Sequence, residues 1–238
     1  MKSTLIKAET RGHANHGWLD THHTFSFADY YDPNRIHFGA LRVLNDDIVI
    51  GGEGFGKHPH DNMEIITIPL EGGVRHGDSM GNDGVIRAGE VQVMSAGKGV
   101  IHSEYNADKD QSVNFFQIWI YPNQKDVPPR YEQKTMDFLS HRNKLSEIVS
   151  PKETPHGLWI YQNAWLNIGA FDAEKTFEYA LHDKQNGIFL MNIEGSFEAE
   201  GFRLDKRDGL CLSDIEKTTI KALSNDSRIL IIEVPMVW

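Results

Sequence analysis

Cysteine is almost missing from this chain: Cys211 is the only one in 238 residues. A single cysteine closes no intramolecular disulfide and builds no thiolate zinc site. Long apolar runs are missing too. None approaches the ~20 residues of a membrane-spanning helix, and the opening MKSTLIKAETRGHANHG has no apolar stretch of secretory-signal length. Without such a signal the triplet Asn225-Asp226-Ser227 reads as a chance sequon. Positive charge is scarce. Lys and Arg number 24 against 34 Asp and Glu, a net charge of −10, which repels a polyanion such as nucleic acid. Helical periodicity is scarce as well, with only Lys144–Val149 readable as one short helix. These absences predict a soluble, acidic, cytoplasmic protein with no membrane span and no direct nucleic-acid contact.

What is present is a chain long enough for one large domain or two of ~100–150 residues. Hydrophobic residues at 39% and charged residues at 24% are ordinary for a globular protein. Short β-branched and aromatic runs recur at 63–70, 90–94, 113–121, 187–193 and 228–234. Gly, Asn, Asp and Pro clusters such as LEGG, MGNDG and YPNQ separate them. This rhythm predicts an all-β sandwich or barrel. The segment 122–129 holds three prolines and opens an expected linker to about residue 150. LEG at 70–72 followed by GEVQVMS at 89–95 is echoed by IEG at 193–195 followed by GLCLS at 209–213. The echo points to a duplicated barrel.

Histidine is unevenly spread. Nine of the 12 lie within residues 1–135, so the chemistry is expected in the first half. His58 and His60 in GKHPHDN are separated by one residue. On a strand, residues i and i+2 share a face with Cα atoms about 6.6 Å apart, close enough for two imidazoles to reach one ion at ~2.0–2.2 Å per bond. His102 and Glu104 in GVIHSEYN repeat the spacing. If the two segments face each other inside a barrel, three imidazoles and one carboxylate meet. Such a set suits Fe(II), Mn(II), Ni(II), Co(II), Zn(II) or Cu(II). Glu64, four residues after His60, falls on the same face of an unbroken strand and is an alternative carboxylate.

GGEGFGKHPHDNME and GEVQVMSAGKGVIHSEYN resemble the two metal-binding motifs of the cupin superfamily. HPH, DSMGN, MSAGKG, HSEYN, the RGHANHGWLDTHHTFSFADYYDP segment and PRYEQ at 129–133 are similar more closely to the bacterial pirin-like proteins, which include quercetin 2,3-dioxygenases. The resemblance is specific through residues 8–135 and looser beyond. It implies a bicupin with an N-terminal barrel at 1–135 and a C-terminal barrel at 136–238. It also implies one divalent metal, iron(II) first, held by His58, His60, His102 and Glu104, and so favours Glu104 over Glu64. The second half carries Leu181 and Asp183 where an H-x-H pair belongs, so its barrel is expected to be structural.

The activity implied is cleavage of a flavonol such as quercetin with dioxygen, releasing carbon monoxide. A divalent ion stabilises the anion of an acidic enol, and Glu104 would accept the enol proton. Met63 or Phe116 are candidate pocket residues. Trp18, Phe25 and Phe27 are expected to anchor a loop over the barrel mouth as core residues, with His13, His16, His22 and His23 in that loop. Two other classes of function remain open. One is a metal-binding regulatory protein acting through a protein partner; the other is a cupin isomerase or sugar-binding protein. Two motifs are false trails. The run from Gly51 to His58 lacks the Ser or Thr of a phosphate loop. The stretch from Gly77 to Gly81 matches a nucleophile elbow but is followed by turn residues rather than a helix. Cys211 is expected to be buried and inert.

Overall fold

The computed structural model describes residues 1–136, 141–152 and 157–238. Among these the chain is almost entirely strand, with one short 3-10 turn at Ala8–Thr10. Each half is a seven-stranded sheet facing a four-stranded sheet. Together they form the two cupin-type barrels of a bicupin.

The apolar runs become the middle strands of the large sheets: Glu64–Glu71, Val113–Ile120, Asn186–Glu194 and Ser227–Pro235. These runs are nearly continuous because both faces are covered. In Glu64–Glu71, Ile65 and Thr67 point into the first barrel, while Ile66 and Ile68 point out of it. The outward set joins one core shared by both halves. Ile66, Ile68, Phe116 and Ile118 meet Leu166, Phe189, Leu230 and Ile232 there. Each such side chain contributes roughly 1.5–3 kcal/mol by leaving water, so the two barrels are joined back to back by a dry seam. The duplicated motifs occupy matching places. Glu64–Glu71 pairs antiparallel with Glu90–Ser95, as Asn186–Glu194 pairs with Gly209–Ser213.

Three expectations change. Lys144–Pro151 is a strand, not a helix, paired with Trp165–Phe171 on one side and Leu158–Ile160 on the other. The supposed linker carries a strand as well, Arg130–Thr135, on the edge of the first large sheet; its stretch 137–140 lies outside the described residues. The opening strand Lys2–Ile6 leaves its own half and pairs with Gly209–Ser213 in the second. Asp208 anchors the crossing by accepting from the Ala8 N–H at 2.8 Å and pairing with Lys7. The run from Gly77 to Gly81 lies in the hairpin between Gly73–Asp78 and Asp83–Arg87. Cys211 is buried, and burial pushes its thiol up to about 12.

Candidate metal centre

The small sheet of the first barrel carries the centre. Gly54–His60 and Val100–Asn106 run antiparallel, with His58 opposite His102 and His60 opposite Val100. Directly opposed residues share a face with Cβ atoms about 4.5–5.5 Å apart. Alternation adds His60 to that face. The strand Gly54–His60 must cross its neighbour closely, because a Cβ on Gly54 would lie 2.3 Å from the Glu104 carbonyl oxygen. Glycine there lets the histidine strand settle.

The three rings converge. Centroids of His58 and His102 lie 4.4 Å apart, of His60 and His102 4.8 Å, and of His58 and His60 4.9 Å. Their ligand nitrogens all lie within 4.8 Å of one another. The His58 Nδ1–H donates to the Gly56 carbonyl at 2.7 Å, which fixes the tautomer and frees Nε2 as a lone-pair donor. His102 is buried, and neither of its ring nitrogens has a protein partner. An orphaned buried polar atom is costly, and a metal bond removes that cost. Burial and the neighbouring imidazoles push His60 down to about 4 and His102 down to about 3. Both therefore stay neutral and able to ligate at physiological pH.

Glu104 is buried and lines the same cavity. Its carboxylate is held in place by two donors, the Thr67 hydroxyl at 3.0 Å and the Gln117 amide at 2.8 Å. The three histidines form the tight group; Glu104 stands beside it. Glu64 is elsewhere. The chain turns at Asn62, at φ +43°, where the Asn62 side-chain amide donates to the Asp126 carboxylate at 3.2 Å and accepts from the Asp126 backbone N–H at 2.8 Å. It resumes in the large sheet, where the Glu64 carboxylate accepts from Ser95 at 2.6 Å. Burial pushes Glu64 up to about 7.

The cavity beside the histidines measures about 430 Å³, within the ~300–1,000 Å³ of small-molecule sites. Trp18, Phe27, Phe55, Ile65 and Trp119 form its apolar walls, and Asn45, Asp47 and Gln117 its polar ones. Trp18 meets Phe55 edge-on, and Phe27 meets Trp119 likewise. Trp18 and Phe27 are thus cavity walls rather than core, whereas Phe25 packs on Phe189 in the shared seam. Phe116 is in that seam too and does not line the pocket. Met63 lines a neighbouring groove past His60 and Trp119. Of the four early histidines, His13, His22 and His23 sit on strands, Gly12–Asn15 and Leu19–His23, which extend the large sheet.

Sequence reasoning missed Thr67, Gln117 and Asp47. The signal was available, since Thr67 and Gln117 are lone polar residues at inward positions of apolar strands. Asp46 and Asp47 point to opposite faces. Asp46 pairs with Arg11 and Arg207. Asp47 faces the cavity, accepts from the Thr21 hydroxyl and is pushed up to about 7, first by burial.

A β-barrel with converging histidines at its open end, backed by a second barrel, defines a metal-binding bicupin. Comparison with known proteins narrows this class. The Pirin family model matches residues 6–120, and the Quercetinase C-terminal cupin domain model matches 147–234. Quercetin 2,3-dioxygenase of Escherichia coli K12 is 42% identical, covering 98% of this chain and 99% of its own. A pirin-like protein of Caulobacter vibrioides is 40% identical over 92% of this chain and 94% of its own. The crystal structure of the bacterial pirin YhhW from Escherichia coli in complex with nickel(II) superposes with a TM-score of 0.93. It is 40% identical, covering 99% of this chain and 100% of that one. The chain belongs to the pirin family. Among the described residues, no helix is long and apolar enough to cross a membrane.

Proposed function

We propose that this protein is a metal-dependent dioxygenase that opens a flavonol such as quercetin with dioxygen and releases carbon monoxide. The observation that carries it is the buried, unpartnered imidazole of His102, set between His58 and His60 at the wall of an aromatic-lined cavity. His58, His60 and His102 would hold one divalent ion, with Glu104 as the fourth ligand. Iron(II) is our first choice, and the nickel(II) complex of the relative makes nickel its main competitor. When bound, the ion supplies Lewis acidity that favours the enolate of the substrate.

The remaining steps belong to the chain's own groups. Trp18, Phe27, Phe55 and Trp119 would grip a flat polyphenol and keep water out. Glu104 would take the enol proton, and its two donors keep the carboxylate aimed while leaving further lone pairs free. Asp47 would face the substrate as a protonated acid below about pH 7. The chain would work as a site-bearing unit, 1–135, braced by a structural unit, 136–238, in the cytoplasm and without nucleic-acid contact.

The test is aerobic incubation with quercetin, following carbon monoxide and metal content together. Chelator should abolish release, and iron(II) or nickel(II) should restore it. Glu104→Gln should keep part of the metal yet lose about 10²–10⁴ in turnover. Full turnover by that variant would remove Glu104 as the base. No carbon monoxide from the metal-loaded protein would remove the activity itself.

A further inference from the structure

A second group of ligating atoms lies on the hairpin of Gly12–Asn15 and Leu19–His23. His13 stands opposite His22, and Asn15 opposite Asp20. His22 and Asp20 are two residues apart on one strand and share its outer face. His13 Nε2 lies 2.9 Å from Asp20 Oδ1, and His22 Nδ1 lies 3.7 Å from the same oxygen. The two imidazoles stack with centroids 4.5 Å apart. One ligating atom from each of the three residues falls within 4.8 Å of the others. Two atoms bound at ~2.1 Å to one octahedral or tetrahedral ion sit roughly 3.0–3.4 Å apart, and the observed separations bracket that spacing. The Asn15 amide donates to the other Asp20 oxygen at 3.1 Å, so the carboxylate is already oriented, as outer-sphere partners do for ligands. All three side chains reach solvent, which gives an ion an entry path.

We infer that His13, Asp20 and His22 form a second transition-metal site, separate from the cavity histidines. Two nitrogens and one carboxylate oxygen suit zinc, nickel, cobalt or copper and disfavour calcium and magnesium. The site lies on the reverse of the strand whose Thr21 and His23 reach inward to Asp47 and Asn45. An ion there ties both arms of the hairpin whose turn presents Trp18 to the cavity. Three half-exposed ligands make it the weaker of the two sites. The inference does not depend on the flavonol activity or on occupancy of the first site.

Calorimetric titration of chelator-stripped protein with nickel(II), repeated with zinc(II), tests it. Wild type should bind two ions in two steps. His13→Gln and His22→Gln, both at partly exposed positions, should each keep the tighter step and lose the weaker. His58→Ala should keep the weaker and lose the tighter. Circular dichroism of the stripped variants checks that the fold is retained, and Asp20→Asn, which preserves the hydrogen-bonding shape, should weaken the second step at least tenfold. A single step in wild type up to millimolar metal overturns the inference, because His13 and Asp20 are then only a hydrogen-bonded pair. A second step that survives both histidine substitutions also overturns it, since the ion then sits elsewhere.

Discussion

The two barrels share an architecture, and His102 in the first and Glu233 in the second are buried polar groups with opposite surroundings. In the first, the His102 ring nitrogens are left without partners beside an open cavity. In the second, the paired small-sheet strands put Tyr179 opposite Thr218, as His58 stands opposite His102. The neighbouring buried carboxylate, Glu233, is saturated. It accepts from the Tyr179 hydroxyl at 2.9 Å, the His182 ring at 2.8 Å and backbone N–H, and the Asn186 amide at 2.7 Å. Trp165 stacks on His182 and closes the cluster. Among the described residues, no group of three ligating side chains forms in this half. A network that satisfies itself is a brace; one that leaves lone pairs free is a receptor.

The largest effect should come from emptying the receptor. His102→Ala is expected to reduce bound metal, by elemental analysis, and carbon monoxide release to background. Next is the brace. Glu233→Ala strands the four Tyr179, His182 and Asn186 donors and should cost about 3 kcal/mol or more in urea unfolding, with metal content per folded chain unchanged. Loss of metal in that variant would break the distinction between the halves. A third test is pH-dependent. Folded Glu64 keeps its proton to about pH 7, against 4.5 when exposed. Its folding penalty is absent below pH 4.5, grows as pH rises toward 7, and then stays constant. Glu64→Gln removes it, so its advantage in unfolding free energy should grow by up to about 3 kcal/mol between pH 5 and 8. The smallest effect is expected from Phe27→Ala, which should raise KM for quercetin about tenfold, or ~1.4 kcal/mol, at unchanged metal content.

The histidine cluster was legible because strand alternation is local and strict. HPH and HSE each put two polar side chains on one face, and the barrel had only to oppose them. Glu64 stayed open as an alternative because strand alternation alone does not reveal that a left-handed residue at Asn62 stands between one strand and another in a different sheet. Phe116 was misplaced by one position of that alternation. Val113, Phe115, Gln117 and Trp119 alternate inward along one unbroken strand, so Phe116 falls on the seam; two adjacent phenylalanines carry no local sign of which one faces in. KLSEIV carries good helix formers, yet pairing on both flanks makes it a strand, since tertiary context overrides intrinsic preference. The donors to Glu104 come from strands 37 and 13 residues away, a relation that no local pattern encodes.

The crossing of Lys2–Ile6 into the second half has a bearing on biogenesis. That segment is synthesised long before its pairing partner, Gly209–Ser213, which emerges more than two hundred residues later. That sheet therefore cannot be completed until Gly209–Ser213 has been made, and a bulky group inserted just ahead of Lys2 would disturb the distant barrel rather than the adjacent one.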